Sequence, residues 1–586
     1  MCGILFCVQR QEDITPEFEL LWSQLKESNS ARGPDAQDTY QTIIQSRNGA
    51  VLDVRLFASE LRLRGDKPVV QPHKDENGVL CWNGEVFEGL EVGPNENDGE
   101  KLFGEIKTIS DPETDLPKIF QRIEGPYAMA YLHNLTKRIY FGRDPLGRRS
   151  LLIHRPSVEK PYLLVASASA GSNLLYQLEE VDTSKFHYID LNEWSDPENA
   201  SGAEETMRTL ERRVETISGQ DFSTPAKVDM HVPDTPPLTT SLDSIPEALI
   251  APVSDILYHL GRSTEFMVRD IPNTSREEGK ARVALLFSGG IDSTMLAYFA
   301  DKYLPIDEPI DLLNVAFENP RKIQVREEGN DNPKTKKIKA KMRNKGIATP
   351  EKGKFVSYLV PDRVTGLEEL EELRRLSPKR KWNFVEVDIT FEEMNRCKHI
   401  VENIMHPSRT VMDLSLALAL YFASRGIGFV RDSPEGEKIP YTSIARVLLN
   451  GLGSDELLGG YGRHRTAYNT GGWQAVLDEL QLEIDRIPTR NLGRDDRIIS
   501  CHGKEARHPF LSLSVVEFIA KLPVHYKMDP RLPVGTGDKM LLRLAARKVG
   551  LELASARKKR AMQFGSHSAR MEAGEGERRG DILLTN

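Results

Sequence analysis

The feature that most constrains this chain is an abrupt change in its pattern of apolar residues. Over about residues 1–190 the apolar runs are short and β-like: GILFCV at 3–8, YAMAYL at 127–132, RIYFGR at 138–143 and YLLVASA at 162–168. Clusters of Gly, Asn, Asp and Pro separate them, which predicts antiparallel sheet rather than strand–helix–strand units. From about 192 to 246 the segments DPENASGAEE, STPAKV and VPDTPPLTTS are polar and Pro-rich with little periodicity. They predict a linker or long insertion of poor intrinsic order. From about 281 apolar strands alternate with amphipathic helices. VALLF at 283–287 leads into DSTMLAYFADKYL at 292–304, where Met295, Leu296 and Phe299 share one helical face. DLLNVAF at 311–317, WNFVEVDI at 382–389 and RVLLN at 446–450 are further strands, and VMDLSLALALYFAS at 411–424 reads as a helix between them. That alternation predicts a doubly wound α/β domain with a mostly parallel sheet.

A chain of 586 residues exceeds what one hydrophobic core supports, so at least two domains are expected. With 39% hydrophobic and 28% charged residues and a net charge of -9, the balance fits a soluble globular protein and points to neither nucleic acid nor an anionic membrane. No apolar run reaches the roughly 20 residues that span a bilayer, and no secretory signal pattern is visible at the start. Cys2, Cys7, Cys81, Cys397 and Cys501 are scattered, without zinc-type pairing or a disulfide framework, and predict reduced thiols in a cytoplasmic setting, with the nucleus as the alternative. The basic run DNPKTKKIKAKMRNKGIATPEKGK at 331–354 carries no interleaved aromatics and reads as a solvated loop. A frayed polar tail is expected from about 571.

The chain opens Met1-Cys2-Gly3-Ile4. A small residue at position 2 permits removal of Met1, which would leave Cys2 with a free α-amine beside its thiol. An α-amine titrates at roughly 7.7–8.0, so it can take the thiol proton at neutral pH. Alone, Cys2 reads more readily as a small apolar residue opening a strand. Three downstream segments bear on the choice. Arg32-Gly33-Pro34-Asp35 offers a guanidinium on a turn, suited to gripping a carboxylate. Asn83-Gly84-Glu85 offers a side-chain amide and a glycine N–H, two donors for an oxyanion hole. Asp98 can accept from a substrate α-ammonium.

In this order behind an N-terminal Cys-Gly, these residues resemble the class II, or N-terminal nucleophile, glutamine amidotransferases. The resemblance runs over about 2–190 and continues through EGPYAMAYL at 124–132 and FGRDPLGRRSLL at 141–152. It implies a four-layer αββα sandwich. It also implies that Cys2 attacks the glutamine side-chain amide and releases ammonia. Arg32 and Asp98 would hold the α-carboxylate and α-ammonium, Glu85 would help anchor glutamine, and Asn83 and Gly84 would stabilise the oxyanion.

Ser288-Gly289-Gly290-Ile291-Asp292-Ser293 follows the strand VALLF and opens a helix. Small residues let backbone N–H groups approach a phosphate, and the helix N-terminus favours negative charge. The motif is not a Walker loop, because no Gly-Lys-Ser/Thr follows; it resembles the pyrophosphate loop of the ATP-pyrophosphatases. Asn450-Gly451-Leu452-Gly453-Ser454-Asp455-Glu456 with Gly459-Gly460-Tyr461 resembles the second signature of the asparagine synthetase family. The resemblance covers about 250–570. It implies ATP held by Ser288, Gly289, Gly290, Asp292, Ser293, Val315 and Gly451, with Mg²⁺ bound by Asp292 and Asp455. A lysine that stabilises departing pyrophosphate aligns best with Lys559 in Arg557-Lys558-Lys559-Arg560.

The expected layout is therefore an amidotransferase domain at 2–190, a poorly ordered linker at 191–250, a synthetase domain at 251–570 with a basic insertion at about 328–355, and a flexible tail at 571–586. The resemblance implies glutamine, ATP and a carboxylic acid as substrates, with aspartate first. Two positions depart from the family. Leu452 stands where the synthetases usually carry a glutamate tied to amide formation, and Ser512 follows Pro509-Phe510-Leu511 where they commonly carry Asp. Leucine can neither take a proton nor pair with an ammonium. Another carboxylic acid as acceptor, or a non-enzymatic member that keeps the fold, therefore stay open. PDRVTGLEEL at 361–370, KWNFVEV at 381–387, RNLGRDDR at 490–497 and KRAMQFGS at 559–566 look closest to one eukaryotic branch of the family.

Overall fold

The computed structural model describes residues 2–194, 207–213, 220–273, 279–318, 358–433, 436–570 and 583. The basic insertion, most of the tail and parts of the linker lie outside the described residues.

The first domain is built on two six-stranded antiparallel sheets. Strand Gly3–Arg10 sits in the first, between Val51–Glu60 and Leu163–Ala166. Its period-2 pattern assigns the layers. Ile4, Phe6 and Val8 face the second sheet and pack with Val79, Cys81, Ala128, Ala130 and Phe141. Leu5 and Cys7 face outward, against Phe18, Leu21 and Leu25 of helix Pro16–Ser30. The second sheet covers its own outer face with helices Asp98–Ile106 and Pro112–Arg122, through Leu102, Phe103, Leu116 and Phe120. Helix, sheet, sheet, helix is the αββα sandwich.

The second domain carries a seven-stranded sheet. Its order is Ile439–Thr442, Ile427–Val430, Trp382–Ile389, Ile310–Phe317, Val283–Leu286, Val447–Leu449 and Glu505–Arg507. The last five pair in parallel and the first two form an antiparallel edge. Helices cover both faces, giving two cores. Strand Val283–Leu286 lies between Ile310–Phe317, which follows it in sequence, and Val447–Leu449, which comes much later. The order reverses there, so the loops after Leu286 and Leu449 open side by side, the usual ligand crevice of such sheets.

Within the expected linker, Met207–Glu211 is a strand of the second sheet, and the stretch 220–246 has no helix or strand yet is packed rather than loose. Phe222, Val228 and Leu242 are buried in the synthetase-domain core. Phe222 N donates to Gln121 O at 2.9 Å, and Asp229 N to Ala520 O at 2.9 Å. Scattered apolar residues and backbone hydrogen bonds suffice to hold a Pro-rich strap against a core, and composition alone does not register them. Among the described residues no helix is long and apolar enough to cross a membrane.

Candidate active sites

The amidotransferase site gathers at the start of strand Gly3–Arg10. Cys2 is buried, and its backbone N donates to Asn83 Oδ1 at 3.0 Å. Next to it, Gly3 N donates to Ser59 Oγ at 2.9 Å. A side chain on Gly3 would run into the Asn29 carbonyl, so the residue after the cysteine is restricted to glycine. The thiol accepts from Gln71 Nε2 at 3.6 Å. Burial pushes the thiol up to about 12, and Glu60 and Asp98 add to this, while the N-terminal charge and the Leu61 N–H oppose it. At neutral pH the resting group is a thiol, not a thiolate.

Asn83 and Gly84 end strand Gly78–Gly84, which pairs with Tyr127–His133. With Asn83 Oδ1 engaged at Cys2, Asn83 Nδ2 is buried with no hydrogen-bond partner among the described residues. A Cβ at Gly84 would stand 2.7 Å from Trp82 Cζ2 and 2.8 Å from the Pro126 carbonyl oxygen. Glu85 is buried, with Oε2 accepting from Arg64 Nε at 3.0 Å and Oε1 lying 3.3 Å from an Arg507 terminal nitrogen. Asp98 accepts from Val86 N and Gly99 N, both at 3.0 Å, and from Trp82 Nε1 at 3.4 Å. Burial, then the nearby Glu85 charge, raises its carboxyl to about 7. Glu60, beside Cys2, is likewise raised to about 7, mainly by burial.

Arg32 is placed differently from the expectation. Its Nε donates to Cys2 O at 3.0 Å, and its terminal nitrogens donate to Ser500 Oγ at 2.5 Å and Asp496 Oδ2 at 2.7 Å. The guanidinium is buried in the domain interface with three donors already taken by protein. Arg64 stands at Glu85 within the same domain, with a terminal nitrogen donating to Val86 O at 3.2 Å, and sequence reasoning misses it: LRLRG at 61–65 has no spacing that marks its last arginine.

In the second domain a cavity of about 1140 Å³ opens at the reversal of strand order. The loop Ser288–Ser293, Val315, Gly451, Leu452, Asp455 and Lys559 all line it. Gly289 has φ +72°, and a side chain there would strike the Gly366 backbone, so the turn requires glycine. Helix Ile291–Tyr303 starts at this loop, with its N-terminal dipole toward the cavity. Asp292 and Asp455 converge on one ammonium. Lys539 Nζ donates to Asp292 at 2.7–2.8 Å and lies 2.7 Å from Asp455 Oδ1. Lys559 Nζ pairs with Asp455 Oδ2. Burial would raise the Asp455 carboxyl, but Lys539 and Lys559 outweigh it and hold the group well below the usual range. Two carboxylates that already share one cation are a suitable oxygen donor set for Mg²⁺ completed by phosphates. Lys539 is not legible in the sequence, because GDKMLLRL at 537–544 carries no distinctive spacing. Leu452 is half-buried in the cavity wall, its N held by Asn450 Oδ1 at 3.1 Å. In the same wall the Tyr461 hydroxyl donates to Glu456 Oε1.

Fold and site define a protein in which an N-terminal-nucleophile amidotransferase domain is docked on an asparagine-synthase-type domain. Two family descriptions match accordingly: "Glutamine amidotransferase domain" over residues 1–202 and "Asparagine synthase" over 466–585. The chain is 36% identical over 575 residues to the human "Asparagine synthetase domain-containing protein 1", covering 88% of each chain. It is 34% identical to the Gallus gallus protein of the same name, over 92% of this chain and 93% of that one. Similarity extends at 22% identity to a "Putative asparagine synthetase [glutamine-hydrolyzing] 1" of Methanocaldococcus jannaschii, over 79% of this chain and 68% of that one. The chain belongs to the asparagine synthetase family, in the group of the asparagine synthetase domain-containing proteins.

Proposed function

We propose that this protein is a glutamine-dependent, ATP-consuming ligase that forms an amide on a carboxylic acid, with aspartate giving asparagine as its reaction. The observation that carries the reading is Asn83. One end of its side chain holds the Cys2 nitrogen, and the other is a buried donor without a partner among the described residues, suited to an oxyanion that forms only during reaction.

With Met1 removed, the Cys2 nitrogen becomes an α-amine that takes the thiol proton as sulfur attacks the glutamine amide carbon. The tetrahedral oxyanion is held by Asn83 Nδ2 and the Gly84 N–H. Ammonia leaves, and water hydrolyses the thioester to glutamate. Asp98 accepts from the substrate ammonium, which would restore its ionised form. Glu85 anchors the substrate, and Arg64, whose Nε and one terminal nitrogen bond Glu85 and Val86 O, meets the α-carboxylate with its other terminal nitrogen in place of Arg32. In the second domain, Ser288, Gly289, Gly290 and Ser293 cradle the phosphates while Val315 and Gly451 flank the nucleoside. Asp292 and Asp455 would hold Mg²⁺, which neutralises phosphate charge. Lys559, with Lys539, faces the departing pyrophosphate. The acid's carboxylate attacks the α-phosphorus, and ammonia then displaces AMP. Five free cysteines, three of them buried, suit a cytoplasmic location.

Leu452 favours a second reading, in which the acceptor is another carboxylic acid, because no carboxylate stands at that point of the cavity wall. The deciding experiment supplies ATP, Mg²⁺ and glutamine with a panel of carboxylic acids. AMP and asparagine formed with aspartate support the first reading, and AMP formed with another acid supports the second. Silence across the panel refutes both and favours a non-enzymatic role. Cys2→Ala should abolish glutamine hydrolysis, and hydrolysis that persists overturns the nucleophile. Leu452→Glu tests whether that position alone limits amide formation.

A further inference from the structure

We propose that Arg507 is a positioning residue that ties the glutamine pocket of one domain to the nucleotide loop of the other. For its substrate, this rests on the glutaminase reading of Cys2. Arg507 ends strand Glu505–Arg507, the outermost strand of the parallel part of the synthetase sheet. Its buried guanidinium reaches into the amidotransferase domain. One terminal nitrogen lies 3.3 Å from Glu85 Oε1, and the guanidinium carbon sits 5.5 Å from the centre of the Phe87 ring. The other donors are anchored at home: Nε to Glu505 Oε1 at 2.6 Å and a terminal nitrogen to Met267 O at 2.8 Å. Glu85 is thus hydrogen-bonded to Arg64 of its own domain and ion-paired with Arg507 of the other, whose facing terminal nitrogen has no hydrogen-bond partner among the described residues.

The main chain of the same residue points the other way. Arg507 O accepts from Asn450 N at 2.9 Å, and Asn450 Oδ1 accepts from Leu452 N at 3.1 Å. One residue therefore touches the pocket acid through its side chain and sets the first turn of the nucleotide loop through its carbonyl. Neighbouring pairs stiffen the link. Arg149 lies 2.8 Å from Glu505 and donates to Ala506 O at 3.0 Å. Asp496 pairs with Arg32, which holds Cys2 O. These groups are all buried, where displacing one partner strands a charge, so a small shift of Glu85 is resisted rather than absorbed. Any coupling carried this way is reciprocal between glutamine and nucleotide binding.

The test uses the full-length protein with Arg507→Met and Arg507→Lys. Two things are measured: glutamine KM and kcat, and hydrogen exchange in peptides covering 80–87 and 447–456. In the Met variant KM should rise at least about tenfold, the range expected for losing a charged partner, with kcat within about threefold. Exchange should rise in those two peptides and not in 127–133, and Lys should recover part of the KM. An unchanged KM overturns the proposal. So does exchange that rises through both domains with KM and kcat lost together, which reduces Arg507 to a packing residue. If the wild-type protein does not hydrolyse glutamine, the glutaminase reading is what fails. Exchange then decides on Arg507: a rise confined to the two peptides upholds the link, and no rise overturns it.

Discussion

Replacing Asp98 by asparagine separates the cost of a buried carboxylate from its use. The folded carboxyl titrates near 7 against an ordinary 3.8. At about 1.36 kcal/mol per pH unit, that gap is worth about 4 kcal/mol. The sign follows from proton binding. Between about 4 and 7 the folded protein holds a proton that the unfolded chain has released, so wild-type stability falls as pH rises through this window. The amide of the Asp98→Asn variant does not titrate. The stability of this variant relative to wild type should therefore climb by about 4 kcal/mol from pH 4 to pH 8. An offset applies at every pH, because both carboxylate oxygens accept N–H groups and an amide satisfies only one side. That mismatch costs about 1–3 kcal/mol, so the variant starts below wild type at pH 4 and ends above it at pH 8. Glu60, also near 7, is present in both proteins and drops out of the difference to first order.

Denaturant unfolding of the amidotransferase domain at a series of pH values measures the crossing, and glutamine kinetics at pH 8 measure the use. An acceptor for the substrate ammonium, lost from a stabilised domain, should raise KM by about 10- to 100-fold. A stability difference that stays flat with pH, or wild type gaining on the variant as pH rises, would refute the placement of this carboxyl. An unchanged KM would refute its role.

Asp455→Asn removes the partner shared by Lys539 and Lys559; pyrophosphate release from ATP should be lost while glutamine hydrolysis persists, read in parallel assays. Asp496→Ala leaves Arg32 buried without its 2.7 Å partner. It should destabilise the protein by about 3–5 kcal/mol in denaturant titration and slow glutamine hydrolysis. Gly289→Ala meets both an unfavourable φ of +72° and the Gly366 backbone. Nucleotide affinity, measured by calorimetry with a non-hydrolysable ATP analogue, should fall at least tenfold, by the order of 1–3 kcal/mol of backbone strain.

The fold is legible in the sequence because its layers are written locally. In GILFCV, alternate residues go to the inter-sheet core and to the outer helix, a period-2 code that needs no tertiary information. The loops Ser288–Ser293 and Asn450–Glu456 are legible for the same reason: each is one continuous stretch whose glycines and acids meet the cavity from a single turn. Strand Glu505–Arg507 is not, since three residues at a sheet edge carry no readable period. Nor are Arg64, Lys539 and Arg507. Each acts on a residue far away in sequence, and the contact exists only after two elements have docked. Arg32 shows the converse. A guanidinium on a turn reads as available for ligand, yet docking of the second domain supplies Ser500 and Asp496 and takes up its donors.

That docking also fixes the main chain of the loop at Leu452. The main chain at 452 is fixed by Asn450 Oδ1, and Asn450 in turn by Arg507 O. Neither contact involves the side chain at 452. The leucine joins the edge of the apolar core, and the carboxylate of Glu456 lies in the same wall, hydrogen-bonded to Tyr461 and raised by burial and by Asp455. Loop geometry and side-chain chemistry are thus separable at this point. The pairs among Asp292, Asp455, Lys539 and Lys559 do not involve the side chain at 452. A substitution at 452 can therefore change the chemistry of the cavity wall without disturbing the pairs that hold Asp292 and Asp455.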